Sequence, residues 1–86
     1  MSYEVIIPKP VQKQLKNLPP TINERVLEKI LSLVEDPRPF GVKKLSGFDN
    51  EYRIRIGDYR VRYEINDETL TVLVLHCQHR KDVYKK

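Results

Sequence analysis

Two periodicities divide the chain. Apolar side chains recur at helical spacing between residues 8 and 39, and from residue 52 onward they alternate with charged ones. Tyr3, Val5 and Ile7 alternate with Ser2 and Glu4, which predicts a short leading strand over residues 2–7. Pro8 and Pro10 then open a helix, because the first turn of a helix has no intrahelical use for the N–H that proline lacks. Val11, Leu15 and Leu18 follow at i, i+4 and i+7, with Lys13, Lys16 and Asn17 off that stripe. Pro19-Pro20 ends this helix and starts the next. Thr21 and Glu24 have the spacing of a capping box, and Ile22, Val26, Ile30 and Val34 run four apart behind them. Asp36-Pro37-Arg38-Pro39 stops the second helix. The two helices form a proline-linked hairpin suited to covering one face of a sheet.

In the second half, Tyr52, Ile54 and Ile56 alternate with Arg53 and Arg55. After Gly57-Asp58, Tyr59, Val61, Tyr63 and Ile65 alternate with Arg60, Arg62 and Glu64. A glycine at the first position of a two-residue loop predicts a type II′ hairpin. Residues 66–69 make another turn. Residues 70–75 are apolar on nearly both faces and predict a central strand. The expected fold is α+β: an N-terminal strand, a helical hairpin, an antiparallel three-stranded meander and a short polar C-terminal tail.

At 86 residues the chain reads as a single domain, 1–86, with a modest core. Charged residues at 33% and hydrophobic residues at 40% fit a globular domain rather than a disordered one. No apolar run approaches the roughly 18 residues of a membrane span, and no signal-peptide apolar region opens the chain. The lone Cys77 has no internal disulfide partner, and with two histidines it makes a poor zinc set. The expectation is a cytoplasmic domain with no metal, no cofactor and no membrane contact. Net charge is +4, and it is unevenly spread: residues 1–42 hold six basic and five acidic side chains, residues 43–86 ten and seven. Basic residues gathered in one half suit a polyanion partner.

The hairpin sharpens that reading. If Gly57 and Asp58 form the turn, Arg55 opposes Arg60 and Arg53 opposes Arg62, with all four on one face. Directly opposed side chains have Cβ atoms about 4.5–5.5 Å apart, and like charges at that distance destabilise the pair. Such pairing suggests a ligand that supplies negative charge, and guanidinium groups bind phosphate bidentately. The competing reading is a solvated basic face partly neutralised by Glu64, Glu51 or Asp49. Lys43 and Lys44 precede the hairpin. The tail adds Arg80, Lys81, Lys85 and Lys86 around Tyr84, an aromatic suited to stacking on a base or to phosphate chemistry. His76 ends an apolar strand and reads as structural, whereas His79 has no carboxylate fixed beside it by sequence. Phosphate-binding loops, His-Glu-x-x-His, Gly-x-Ser-x-Gly and clustered carboxylates are absent from the sequence, so phosphodiester cleavage is expected to run without metal.

Three segments carry a resemblance: Lys-Lys-Leu-Ser-Gly at 43–47, Glu-Tyr-Arg-Ile-Arg-Ile-Gly-Asp-Tyr-Arg-Val-Arg-Tyr-Glu-Ile at 51–65, and His-Arg-Lys-Asp-Val-Tyr at 79–84. In order and spacing they resemble the RelE branch of the RelE/ParE toxins of prokaryotic type II toxin–antitoxin pairs, over essentially the whole chain. The resemblance implies a microbial-ribonuclease-like fold and a metal-independent mRNA endonuclease. Such a toxin enters the ribosomal A site and is held inactive by a cognate antitoxin encoded by an adjacent gene. It implies catalytic roles for Arg53 and Arg55, where lysines are common, for Arg60 at the scissile phosphate, for Tyr84 and for Arg80. Lys43, Lys44, Arg62 and Lys81 are the expected contacts to RNA or ribosome. Two other classes compete: a ParE-like gyrase inhibitor without nuclease activity, and a passive RNA-binding module.

Overall fold

A computed structural model describes residues 2–45, 47 and 50–83, without the side chains of residues 82 and 83. The elements run β1 (Glu4–Ile6), α1 (Lys9–Lys16), α2 (Pro20–Ser32), β2 (Lys43–Lys44), β3 (Glu51–Ile56), β4 (Tyr59–Asn66), β5 (Thr71–His79) and α3 (Arg80–Val83).

The prolines start the helices as expected. Pro8 precedes α1 and Pro10 lies in its first turn; Pro19 precedes α2, which begins on Pro20. Because α2 begins there, Thr21 is already inside the helix, and no side chain caps the N-terminus. The expected capping box is therefore not formed. Asn23 ties the hairpin instead, donating from Nδ2 to the Leu15 carbonyl at the end of α1, 2.7 Å away. Val26 and Ile30 are wholly buried, but α2 stops at Ser32. Leu33, not Val34, therefore closes the apolar stripe.

The five strands order as β1-β5-β4-β3-β2. The meander β3-β4-β5 is antiparallel, and each edge gains a strand: β1 pairs parallel with Thr71–Leu73, and Lys43–Lys44 pairs with Tyr52–Arg53. Two residues in a basic segment carry no alternation to read, which is why β2 is invisible in the hydrophobic pattern. β5 also runs on through His79, and the expected short polar tail begins with a helical turn. Opposite β4 its register slips between Tyr63↔Val74 and Arg62↔His76, so Leu75 is the additional residue of a bulge. The turn before β5 is held by Asn66, whose Oδ1 accepts the N–H groups of Glu68 and Thr69, both at 3.0 Å.

α1 lies against β5 and α2 against β3. Between helices and sheet sit Val11, Leu15, Val26, Ile30 and Leu33 with Ile54, Val61, Tyr63, Ile65, Val72 and Val74. Each fully buried aliphatic side chain contributes about 1.5–3 kcal/mol. The linker after α2 is pinned across the sheet by polar groups. Tyr63 donates its hydroxyl to the Pro37 carbonyl (2.8 Å), and Arg38 forks onto Asp67 (2.9 and 3.3 Å) while its guanidinium lies over the Tyr52 ring. Tyr3 donates to the same Asp67 carboxylate at 2.7 Å. Arg38 first, then Tyr3, holds the Asp67 carboxyl below the usual carboxylate range; Asp67 in turn raises the Tyr3 hydroxyl.

Candidate functional site

The hairpin register is the one expected from Gly57-Asp58: Ile56↔Tyr59, Arg55↔Arg60, Ile54↔Val61, Arg53↔Arg62. Gly57 takes φ +59° while Asp58 keeps a negative φ, the pattern of a type II′ turn. Tyr52, Ile54, Val61, Tyr63 and Ile65 turn toward the helices and are buried, so the alternation sends Arg53, Arg55, Arg60 and Arg62 to the opposite face. There Arg55 is exposed and the other three are half-buried.

Neighbouring strands extend both arginine pairs into rows. Lys43 pairs with Arg53, and His76 with Arg62, so Lys43, Arg53, Arg62 and His76 cross four strands in line. Gln78 stands beside Arg60. Lys44 pairs with Tyr52, which sends it to the other side of the sheet, away from this row. The third row is acidic, Glu51 opposite Glu64. Glu51 reaches diagonally and forms an ion pair with Arg62 at 2.5 Å. The face is therefore partly self-neutralised at its Arg62 end, and Arg55–Arg60 is the row farthest from the glutamates. Arg55 folds its Nε onto the Gly57 carbonyl at 3.0 Å, which leaves the outer guanidinium nitrogens directed away from that bond.

The start of the tail meets the same hairpin. Arg80 donates its backbone N–H to the Asp58 carbonyl at 2.7 Å, fixing α3 at the turn. Lys81 donates its backbone N–H to His79 Nδ1 at 3.1 Å, and the His79 ring meets Tyr59 edge-on at 5.0 Å between centroids. His79 thus pairs with Tyr59 rather than with the arginines. The side chains of Arg80 and Lys81 are exposed beside the turn. Tyr84 lies outside the described residues.

Two participants escaped the sequence reading. β1 stops pairing at Leu73, and Gln14 of α1 takes over the edge of β5: its Oε1 accepts the Cys77 N–H at 3.0 Å, and its Nε2 lies 3.4 Å from His76 Nδ1. An amide oriented this way turns its N–H toward Nδ1. Nothing in the spacing of Gln14 marks it, because its partner is 62 residues away. His76 itself was legible only as the end of an apolar run; the bulge at Leu75 is what swings it into the cationic row. Cys77 is buried among the core residues, and burial pushes its thiol up to about 11.

Fixed guanidinium groups on an uncovered sheet face provide what a phosphodiester needs on passing to a more highly charged transition state. None of the arginines serves as a proton acceptor, since guanidinium stays protonated at any working pH.

A family model described as the ParE toxin of the type II toxin–antitoxin system parDE matches residues 5–84. The toxin RelG of Mycobacterium tuberculosis is 32% identical, with 100% of both chains covered. The mRNA interferase toxin RelE of Escherichia coli is 28% identical, over 100% of this chain and 94% of that one. Among solved structures, the archaeal RelE–RelB complex from Pyrococcus horikoshii OT3 superposes with a TM-score of 0.83 at 39% identity, covering 93% of this chain and 97% of that one. The chain belongs to the RelE/ParE family of toxins from type II toxin–antitoxin systems, and its relatives named RelE set it on the RelE side of that family.

Proposed function

We propose that this protein is a toxin that cuts mRNA on the ribosome, in the A site, and is neutralised by an antitoxin encoded beside it. The observation that carries the reading is the Arg55–Arg60 pair with Arg53 and Arg62 behind it, on the sheet face opposite the helices. The E. coli relative named an mRNA interferase supports the same chemistry, and the RelE–RelB complex from P. horikoshii supports an antitoxin partner.

In this mechanism the 2′-hydroxyl of the RNA attacks the adjacent phosphorus and the 5′-oxygen leaves. The products are a 2′,3′-cyclic phosphate and a 5′-hydroxyl. Arg55 and Arg60, with Arg53, stabilise the charge that builds on the phosphoryl oxygens. Tyr84, acting as its phenolate, orients the 2′-hydroxyl and takes its proton; the departing 5′-oxygen takes a proton from water, and Arg80 contacts that leaving side. Lys43, Arg62 and Lys81 bind RNA or ribosome around this centre, and Lys44 does so from the other side of the sheet. Arg62 does its part as half of the Glu51 ion pair. Holding the RNA in line for attack supplies up to about 7–11 kcal/mol of the barrier reduction. The chemistry draws on no cofactor and takes place in the cytoplasm, where the ribosome is.

The test is to add the protein to ribosomes programmed with a defined mRNA and map the RNA ends. Cuts phased with codons and bearing 5′-hydroxyls are expected. The family model's ParE description keeps one rival in play. DNA breaks without RNA cuts would establish that gyrase-directed reading instead, and RNA binding without either would reduce the protein to a passive binder.

A further inference from the structure

β2 covers β3 as far as Arg53, so the last residues of β3, up to Ile56, have no strand on that side among the described residues. α2 stands across from this uncovered end, and between them lies an open cavity of about 470 Å³. Its walls bring together cations from two elements: Arg25 and Lys29 from α2, and Arg55 from β3. Arg25 and Lys29 are one helical turn apart and project from one side of α2. Arg25 crosses to the hairpin turn, where a Cβ on Gly57 would stand 3.9 Å from both of its Nη atoms. One carboxylate, Glu28, shares the lining, and Ser32 closes it with a hydroxyl. Neither Arg25, Lys29 nor Arg55 forms an ion pair with any described residue.

The backbone adds to this. Leu45 donates its N–H to the Glu51 carbonyl, which shows that Glu51 turns its backbone groups toward the β2 side. Strand alternation gives Arg53 and Arg55 the same direction. Arg53 meets β2, whereas the Arg55 N–H and carbonyl point to the edge that β2 leaves, on the side of the residue that lines the cavity, where they can offer a donor to a phosphate oxygen and an acceptor to a ribose hydroxyl.

We propose that the groove between α2 and the uncovered end of β3 is a second phosphodiester site, where Arg25, Lys29 and Arg55 hold the RNA backbone as the strand leaves the sheet face. The inference rests on the RNA-directed reading above and extends it: Arg55 belongs to both places, so RNA crossing the Arg60–Arg55 row passes directly over the edge of β3 into the groove. An acidic peptide is the other polyanion with suitable charge. It is disfavoured because an added strand would find few free backbone groups beyond the outward pair of Arg55, and because Ile56 is the only apolar side chain lining the groove among the described residues. Three cations around one channel match successive phosphates instead.

The experiment measures binding of a fluorescent 2′-O-methyl RNA oligonucleotide, which cannot be cut, over a series of salt concentrations. Each phosphate contact contributes about 0.7 to the slope of log K against log salt for a single strand. The Arg25→Gln/Lys29→Gln variant is expected to lower that slope by about 1.4 with an unchanged Tm. Glu28→Gln, of opposite sign, is expected to tighten binding, which keeps the test sound should the double variant be unstable. If the parent binds RNA and cuts ribosome-bound mRNA while all three proteins share one affinity and one slope, the groove is not an RNA site, although the sheet face still is. If the parent binds no RNA at all, the RNA-directed reading falls and takes the groove with it. Loss of oligoglutamate binding by the double variant, with RNA binding intact, would reassign the groove to an acidic protein partner.

Discussion

The β3–β4 hairpin presents two surfaces built from alternate residues of the same backbone. On the side facing the helices, Tyr63 and Val61 are 0% exposed and Ile54 only 3%. On the other side, one residue along in each case, stand Arg62, Arg60, Arg53 and Arg55. The first surface is packed, with the Tyr63 hydroxyl bonded to the Pro37 carbonyl and the Tyr52 hydroxyl accepting from Arg38 Nε. The second sets like charges opposite each other, and Glu51 relieves them at the Arg62 end. One surface supplies the stability that lets the other carry opposed arginines, Arg55–Arg60 being the pair farthest from the glutamates. In the proposed mechanism, stability and chemistry are separated by the thickness of one sheet.

Substitutions that cross this division should separate folding from function. The largest effect belongs to the packed side. Tyr63→Ala should cost about 3–5 kcal/mol in urea denaturation, a large share of a small domain's stability. Tyr63→Phe, which removes only the hydroxyl bonded to Pro37, should cost about 1 kcal/mol. A comparable energy, read in the reaction, is expected for Tyr84→Phe. It should slow single-turnover cleavage of ribosome-bound mRNA by about 10²–10⁴ if the hydroxyl handles the proton. An unchanged rate would limit Tyr84 to stacking. Smaller again is Glu51→Gln, which releases Arg62. A roughly 0.5–1 kcal/mol loss of stability is expected, because Arg62 is partly exposed and screened, together with tighter RNA binding. Weaker RNA binding would mean that Glu51 positions Arg62 rather than merely neutralising it.

The smallest effect is a pH dependence away from both surfaces, at the Arg38–Asp67–Tyr3 cluster. The Asp67 carboxyl is lowered, so its contribution is present above its unfolded pKa and fades as pH falls through the folded one. The Tyr3 hydroxyl is raised, so its contribution is complete below about pH 10 and fades as pH rises beyond it. Asp67→Asn should flatten both limbs of the stability profile measured by thermal melting, with little change near neutrality in their shape.

The alternation of residues 52–65 contained the hairpin register, the split into two faces and the identity of the opposed arginines, because a period of two leaves one register that buries Tyr52, Ile54, Val61, Tyr63 and Ile65 together. The α2 stripe was legible up to Ile30 for the same kind of reason. What escaped notice depends on partners distant in sequence. Lys43–Lys44 becomes a strand only because the β3 edge is there to receive it. Gln14 matters only because β1 stops at Ile6 and uncovers β5. Thr21 and Glu24 looked like a cap because their spacing is right, but Pro20 with its preset φ begins the helix two residues before the Ile22 start that such a cap implies. The Arg25–Lys29–Arg55 groove joins elements thirty residues apart on the chain and leaves no local pattern.

The division of labour between the two faces is tested most directly by Arg60→Ala, measured for melting and for cleavage on the same preparation. Arg60 opposes Arg55 in the row farthest from the glutamates. The account predicts a Tm equal to or slightly above the parent's, as opposed charge is relieved. Single-turnover cleavage of mRNA on programmed ribosomes should fall by about 10²–10³, the usual scale for losing one group that stabilises transition-state charge. Full cleavage activity in a folded Arg60→Ala protein, or a loss of activity that merely follows a collapse in Tm, would contradict it.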